Sequence, residues 1–450
     1  MPHREPVSEP AGPAADASPC APRVELERVI GVGGVAFTAF NCIVGVGIFG
    51  LPALVAGVLG TASFVAYAAC LLLIGLVGLC FAEAGSRVPS SGGMYAYAEA
   101  AFGPVAGGVA GMLMIFANSV GSSAALARFF LDTLGNTWPV FAGPVAAIAL
   151  LTLIYAVLVL VNILGARDGS RLTVVIGIVK LLPLVALVAA GVFAIQPAHL
   201  AWSGMPPANK IGEGALILVF AFIGVESGLN ISGETRNPRR TIPRAIALAL
   251  GMVAVLYIGL QTVAQGVLGS GLASSTAPLV DTATAVFGPS VSRLFVVLTL
   301  FSAAGYLVAD MLSSPRIGFA LAQAGQLPRW VGYVHPRRHT PALAIVLYAV
   351  LVVLVTASGT FKQIAVLAVA GTLLLYLITC LGVLRLRAKG VAMSGTPFVA
   401  PGGITVPLAA AAIIVWLLST LARSELLTTL VFVVAATIAF AIKHRATRRA

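Results

Sequence analysis

Glu226 is a carboxylate inside an apolar run, FAFIGVESGLNISGETRNPRRTIPR from Phe220 to Arg244, with Gly224, Ser227 and Gly228 beside it. At bilayer depth such a group costs about 2.5–3.5 kcal/mol on insertion scales, so it needs a partner, a proton or a water-filled cavity. The adjacent glycines let a helix unwind, which a bilayer tolerates only where the freed backbone lines a protein cavity. Arg236, Arg239, Arg240 and Arg244 then anchor the run at one membrane face. The plainer alternative is a glycine-kinked helix around a satisfied Glu. A second interruption favours the functional reading: Gly45 and Gly47 break FNCIVGVGIFG, from Phe40 to Gly50. Setting Ile43 against Ile223 pairs FNCIVGVG with FAFIGVES. Two broken segments at corresponding places in two halves point to a midplane ligand site between inverted repeats.

The first break suggests what it holds. Amides left free at Gly45–Gly47 start a half-helix and suit a carboxylate. Carbonyls left free on the other side suit an ammonium. Together they read the groups that all α-amino acids share. Lys180, in VVIGIVKLLPLVALV, lies nine residues beyond Arg171. At about 1.5 Å per residue that is well inside the core. A Lys at that depth can load and unload a proton, stand in for a bound sodium ion, or pair with carbonyls for structure alone. Asn118, Ser119, Ser122 and Ser123 form a polar patch on an apolar segment; interhelical hydrogen bonds and a cavity wall are both compatible with it.

Other polar features carry less. Glu83 to Gly103 (EAGSRVPSSGGMYAYAEAAFG) is too polar to span and reads as a re-entrant or surface turn, with Tyr95, Tyr97 and Phe102 suited to the interface. Asp310, near the end of YLVADMLSSPRIGF, is expected to face cytoplasmic water, with a role in the transport pathway as the alternative. Arg316 to Pro341 is amphipathic and basic, a surface gate or lipid contact. His335 and His339 flank Pro336, which argues against one helix face holding a metal.

The elements that position these groups follow from composition. The 450 residues are 59% hydrophobic and only 9% charged, against about 25% charged in a soluble domain, so the chain is an integral membrane protein. Twelve apolar windows fit spanning helices: 30–57, 61–82, 103–131, 139–163, 171–195, 211–233, 243–268, 290–312, 341–358, 362–384, 403–421 and 425–442. Of the 27 Lys and Arg, one side would carry only Arg128, Lys210, Arg293, Lys362 and Arg423; all the rest but Lys180 fall on the other. That asymmetry, not nucleic acid binding, accounts for the net charge of +12, and it places both termini in the cytoplasm. The five cysteines, 20, 42, 70, 80 and 380, have no paired spacing for a disulfide or zinc framework. Residues 1–28 read as a disordered cytoplasmic tail, 29–442 as one membrane domain and 443–450 as a basic tail. The last two helices, at 403–442, are plain apolar scaffold or a face for a homodimer.

These residues carry a family likeness. GVGIFGLP at 45–52, PSSGGMYAYAEAAFG at 89–103, FAFIGVESGLNISGETRNPRRTIPRAI at 220–246 and RIGFALAQAGQLP at 316–328 resemble the amino acid–polyamine–organocation (APC) superfamily of permeases over about residues 29–442. The third stretch is similar to the arginine/agmatine antiporter. The resemblance implies an all-α membrane protein with twelve spans, a five-plus-five inverted repeat (about 29–195 and 211–384) and broken first and sixth helices. It implies that a substrate carboxylate meets the amides of Val46 and Gly47, and that the ammonium meets carbonyls of Ile43, Phe220 and Ile223. Gly45, Phe222, Asn118 and Ser122 complete the expected site, with Phe220 as its aromatic gate. Glu226 and Ser227 fall at the gating acid, and Lys180 at the place of sodium in sodium-coupled relatives.

Two departures shift the expected substrate. Val46 offers no hydroxyl, and Phe220 stands where the antiporter has Trp, a better platform for a guanidinium. The expectation is a proton-coupled permease of neutral amino acids in the inner membrane, without a cofactor. The alternatives are an exchanger of cationic amino acids or polyamines and, more distantly, a permease-like sensor. An enzyme is excluded for want of a nucleophile–base pair, a metal cluster or a soluble catalytic domain.

Overall fold

The computed structural model describes residues 31–45, 47–88, 93–164, 169–202, 204–226, 237–336, 338, 340–393 and 396–449. Val46 and Ser227 of the expected site lie outside the described residues. Every regular element among those described is helical. The first window folds as two helices, α1 (Val32–Ile43) and α2 (Gly47–Leu59). At about 1.5 Å per residue neither crosses a core of about 30 Å alone, and end to end they do. Next come α3 (Ser63–Arg87) and the short α4 (Gly93–Phe102). A continuous rod follows, built from α5 (Pro104–Leu113), a π-helical stretch (Met114–Gly121) and α6 (Ser122–Thr137). The chain continues through α7 (Pro144–Leu164), α8 (Gly169–Gly191), α9 (Ala208–Phe222), α10 (Pro238–Leu268) and the short α11 (Pro278–Phe287). It finishes with α12 (Ser292–Ser313), α13 (Pro315–Gln323), α14 (Ala342–Ala357), α15 (Phe361–Ala388), α16 (Thr405–Ser419) and α17 (Arg423–Arg449).

Among the described residues, seven helical stretches are long and apolar enough to cross a membrane by length and composition. The outer helices turn apolar side chains outward: Val145 and Leu153 on α7, Val431 and Ile442 on α17 are exposed, as lipid contact requires. Inside, α1 packs on α10, α2 and α3 on α9, and the π-helical stretch on α15.

α4 and α11 are both ten residues long, and each ends in a Phe that is followed by Gly-Pro, Phe102-Gly103-Pro104 and Phe287-Gly288-Pro289. Gly103 and Gly288 have φ of +97° and +90°, which favour glycine, and the following prolines open the next helical turns.

The stretch from Glu83 to Gly103 differs from the expectation of a polar turn. α3 runs on through Arg87, and Glu83 is wholly buried there. Arg387 donates to it at 2.7 and 2.5 Å, Arg87 at 2.9 Å and the Ala400 amide at 2.9 Å. A carboxylate with two guanidinium partners and an amide can be buried without an orphaned charge. Tyr97 is also fully buried, not interfacial, because α4 packs its inner face on α15.

Candidate functional site

The two helix breaks face each other. α1 ends in a tight turn at Val44, with φ −72° and ψ 73°, where the Gly45 amide donates to the Ile43 carbonyl at 2.7 Å. This is an inverse γ-turn, and it redirects the chain before Gly47 starts α2. α9 ends at Phe222, and Ile223 leaves helical geometry with ψ 133°. Gly224 follows with φ +114°. A Cβ on Gly224 would stand 2.9 Å from the carbonyl carbon and oxygen of Cys42 and 3.2 Å from the Ile43 nitrogen. Only a residue without a side chain lets the second break lie this close to the first.

Tyr257 of α10 ties the breaks together. It is fully buried, and its hydroxyl lies 2.9 Å from the Ile43 carbonyl and 3.0 Å from the Ala221 carbonyl. One proton serves two acceptors, so each carbonyl is held part of the time. Phe222 packs edge-on against the Tyr257 ring with centroids 5.3 Å apart. That places Phe222 in the packed core, as support for Tyr257. Lys180, near the middle of α8 and buried, donates to the Asn41 carbonyl in the last turn of α1 at 2.6 Å.

Glu226 curls back beside its own break. The Gly224 amide donates to both of its carboxylate oxygens at 3.2 Å, Asn118 donates through Nδ2 at 2.8 Å, and the Tyr376 hydroxyl of α15 donates at 2.9 Å. Asn118 comes from the π-helical stretch, where each turn carries one extra residue and the face presented shifts; such stretches concentrate at functional positions. Asn118 therefore acts as a partner of Glu226, and Ser122, one turn on, is buried with a hydroxyl that has no hydrogen-bond partner among the described residues.

Phe220 sits in an aromatic cluster two residues before the end of α9. Its ring meets Phe361 of α15 edge-on at 5.8 Å, and Phe361 meets Phe129 of α6 at 5.5 Å. Phe220 also lies 3.3 Å from where a Cβ of Gly47 would stand. Beside the Phe220 ring, a cavity of about 10 Å³ is lined by Leu51, Leu54, Ile217, Phe220 and Lys362 among others, room for about one water.

Asp310 does not simply face water, as its position near a helix end had suggested. It is partly buried and receives hydroxyl donors from three elements. Tyr257 and Tyr376 carry no mark in the sequence, and the polar patch at Asn118 and Ser119 gives no sign of its π-helical form: a tyrosine on an apolar helix is ordinary, and the break-facing role exists only once α10 and α15 are in place. Among the described residues no group of His, Cys, Asp or Glu could hold a metal ion.

The chain matches the amino acid permease family model across residues 30–442. It is 27% identical over 385 residues to the serine/threonine exchanger SteT of Bacillus subtilis, covering 81% of this chain and 85% of that one. It is 27% identical over 374 residues to the branched-chain amino acid permease BcaP of Lactococcus lactis, with 77% and 79% covered. The cadaverine/lysine antiporter of Escherichia coli is 29% identical over 339 residues, with 71% and 76% covered. The chain belongs to the amino acid permease family. It is a multi-pass membrane protein that transports amino acids, and it is not an enzyme.

Proposed function

We propose that this member of the amino acid permease family carries small or apolar neutral amino acids across the cytoplasmic membrane by alternating access, coupled to protons. The observation that carries the reading is the pair of helix breaks held face to face by Gly224 and Tyr257, with Lys180 on the first. Twelve spans and a five-plus-five repeat are supported by the helices at all twelve windows and by the matched Phe-Gly-Pro ends of α4 and α11. The domain limits remain those read from the sequence: tails at 1–28 and 443–450 around the permease at 29–442. The basic side, with both termini, is cytoplasmic by the positive-inside rule. The Phe220–Phe361–Phe129 closure then faces the periplasm, where Lys210 and Lys362 lie 2.9 and 3.9 Å from Glu213.

The site chemistry supports a neutral substrate. Both Glu226 oxygens already accept from neutral donors, and the aromatic closure offers no countercharge to a cationic side chain. The α-carboxylate is assigned to the amides of Val46 and Gly47. The α-ammonium is assigned to the carbonyls of the breaks, sharing Ile43 with Tyr257. Counterflow in proteoliposomes tests the reading, with labelled alanine, serine, leucine and arginine outside and unlabelled amino acids inside. Exchange of the neutral amino acids is expected; a folded protein that exchanges none refutes it, and leaves a sensor.

A second reading, exchange of cationic amino acids or polyamines, draws on the antiporter relative and on the lack of a Lys or Arg ion pair at Glu226 among the described residues. Lysine or cadaverine inhibiting at low concentration would favour it.

Two expected outcomes follow from the site. Tyr257→Phe removes the shared donor at the breaks, and an unmet carbonyl costs about 1–2 kcal/mol, so half-saturation should rise roughly 5- to 30-fold. Uptake measured against substrate concentration checks this; an unchanged half-saturation contradicts it. Glu226→Gln puts an amide among three donors when it has only one oxygen, so one donor must turn away. Exchange should slow about tenfold with half-saturation changed less. A large loss of affinity with normal turnover would contradict a gating role.

A further inference from the structure

Asp310 is an interior carboxylate with no part in the proposed function and, unlike Glu83, no ion pair among the described residues. Ser123 of α6 donates to Oδ2 at 2.5 Å, Ser314 at the start of α13 donates to Oδ1 at 2.5 Å, and Tyr348 of α14 also donates to Oδ2. No Lys, Arg or His forms an ion pair with it among the described residues. Among the described residues, the charged groups on the surrounding elements are engaged or turned away. On α6, Arg128 pairs with Asp132; on α8, Lys180 donates to Asn41; on α11, Asp281 accepts from Ser275; on α13, Arg316 is exposed. The titratable groups that do face Asp310 are phenols: Tyr348 from α14, Tyr155 from α7 and Tyr306 one turn back on α12.

This shell can hold the acid in either state. The Tyr348 hydroxyl lies 3.3 Å from Ser123 Oγ as well as against Oδ2. With Asp310 ionised, both hydroxyls donate to Oδ2. When Oδ2 takes a proton, the new O–H points at the Tyr348 oxygen, Tyr348 turns its own proton onto Ser123 Oγ, and Ser123 goes on donating to Oδ2. The three groups close a ring in which, in either state, the Tyr348 and Ser123 hydroxyls both keep an acceptor. Glu226 lacks this freedom on the Gly224 side, because a backbone N–H donor cannot become an acceptor.

The site is also placed to communicate. Asp310 is partly exposed, and the Tyr306 ring edge lies 3.8 Å from where a Cβ of Gly45 would stand, against the first helix break. We propose that Asp310 is a proton-binding site of the transport cycle, built between α6, α12 and α14 and separate from Lys180 and Glu226. The proposal rests on the amino acid transport reading.

Wild type, Asp310→Asn and Glu226→Gln reconstituted in proteoliposomes test it, with counterflow measured at equal pH on both sides across a pH series. Wild type is expected to change its rate about fivefold or more over the series, and Asp310→Asn to hold its rate within about twofold. Its half-saturating concentration should stay within about twofold, because Asp310 meets no substrate. Infrared difference spectra on acidification should show a carboxylic acid C=O band in wild type and Glu226→Gln that is missing from Asp310→Asn. A mutant profile that follows wild type, or a band that survives in Asp310→Asn, overturns the proposal. If Asp310→Asn does not fold, Tyr348→Phe, which keeps the acid and breaks the ring, decides: the band should move along the pH axis, and an unmoved band overturns the site. Wild type that exchanges no amino acid refutes the transport reading, whereas pH-independent exchange by wild type overturns the proton site alone.

Discussion

Replacing Gly224 by alanine is expected to reduce amino acid exchange by one to two orders of magnitude while leaving the helical content intact. Two physical terms combine. With φ at +114°, an L side chain sits in a sparsely populated backbone region, at about 1–3 kcal/mol. The added methyl would also stand 2.9 Å from the Cys42 carbonyl group, which is backbone and cannot rotate away as a side chain can. The breaks must part by several tenths of an ångström. That moves the Ile43 and Ala221 carbonyls off the Tyr257 hydroxyl they share. Since about 1.4 kcal/mol is a factor of ten, the combined cost accounts for the expected loss. Circular dichroism and thermal melting of the purified variant, beside counterflow, separate loss of transport from loss of fold. Wild-type exchange by Gly224→Ala would mean that the close approach of the two breaks is unimportant.

The second large effect is at Lys180. Lys180→Ala is expected to abolish proton-driven accumulation of substrate. The Nζ donates to the Asn41 carbonyl at 2.6 Å, from the middle of α8 to the last turn of α1. It is the link between α8 and the first break, and removing a charged donor from a buried carbonyl costs about 1–3 kcal/mol. Lys180→Met keeps most of the side-chain volume, so a loss shared by both variants belongs to the ammonium and not to a cavity. The measurement is accumulation under an imposed inward proton gradient, beside counterflow without one. Loss of accumulation with residual counterflow marks coupling. Accumulation that keeps the wild-type pH profile in both variants removes Lys180 from the coupling mechanism and leaves it a structural cation.

How far the sequence led differs from residue to residue. Glu226, Lys180 and the glycines at 45, 47 and 224 were legible because each breaks a rule of the apolar segment around it: a charge, or a missing side chain, where the bilayer favours neither. The pairing of Ile43 with Ile223 located two breaks, and in the structure they are in contact. That the chain is built of apolar helices was legible for the same reason, as composition alone marks apolar length. Asp310 was legible only in part: nearness to a helix end suggests water, which it partly meets, but its hydroxyl shell comes from α6, the start of α13 and α14.

By itself, then, the sequence determined that this is a helical membrane protein of the amino acid permease family, with two broken helices and buried ionisable groups. Local composition sets those features, and each residue type declares its own cost in lipid. Only the tertiary structure decided who satisfies whom. Tyr257 meets carbonyls of both breaks, Tyr376 and Asn118 meet Glu226, and Ser123 and Tyr348 meet Asp310. Those partners are polar residues of unremarkable type on apolar helices, far away in the chain. A hydrogen bond is directional and short, so which hydroxyl reaches which carboxylate is fixed by helix packing and by the shifted face of the π-helical stretch, neither of which is written in any single segment.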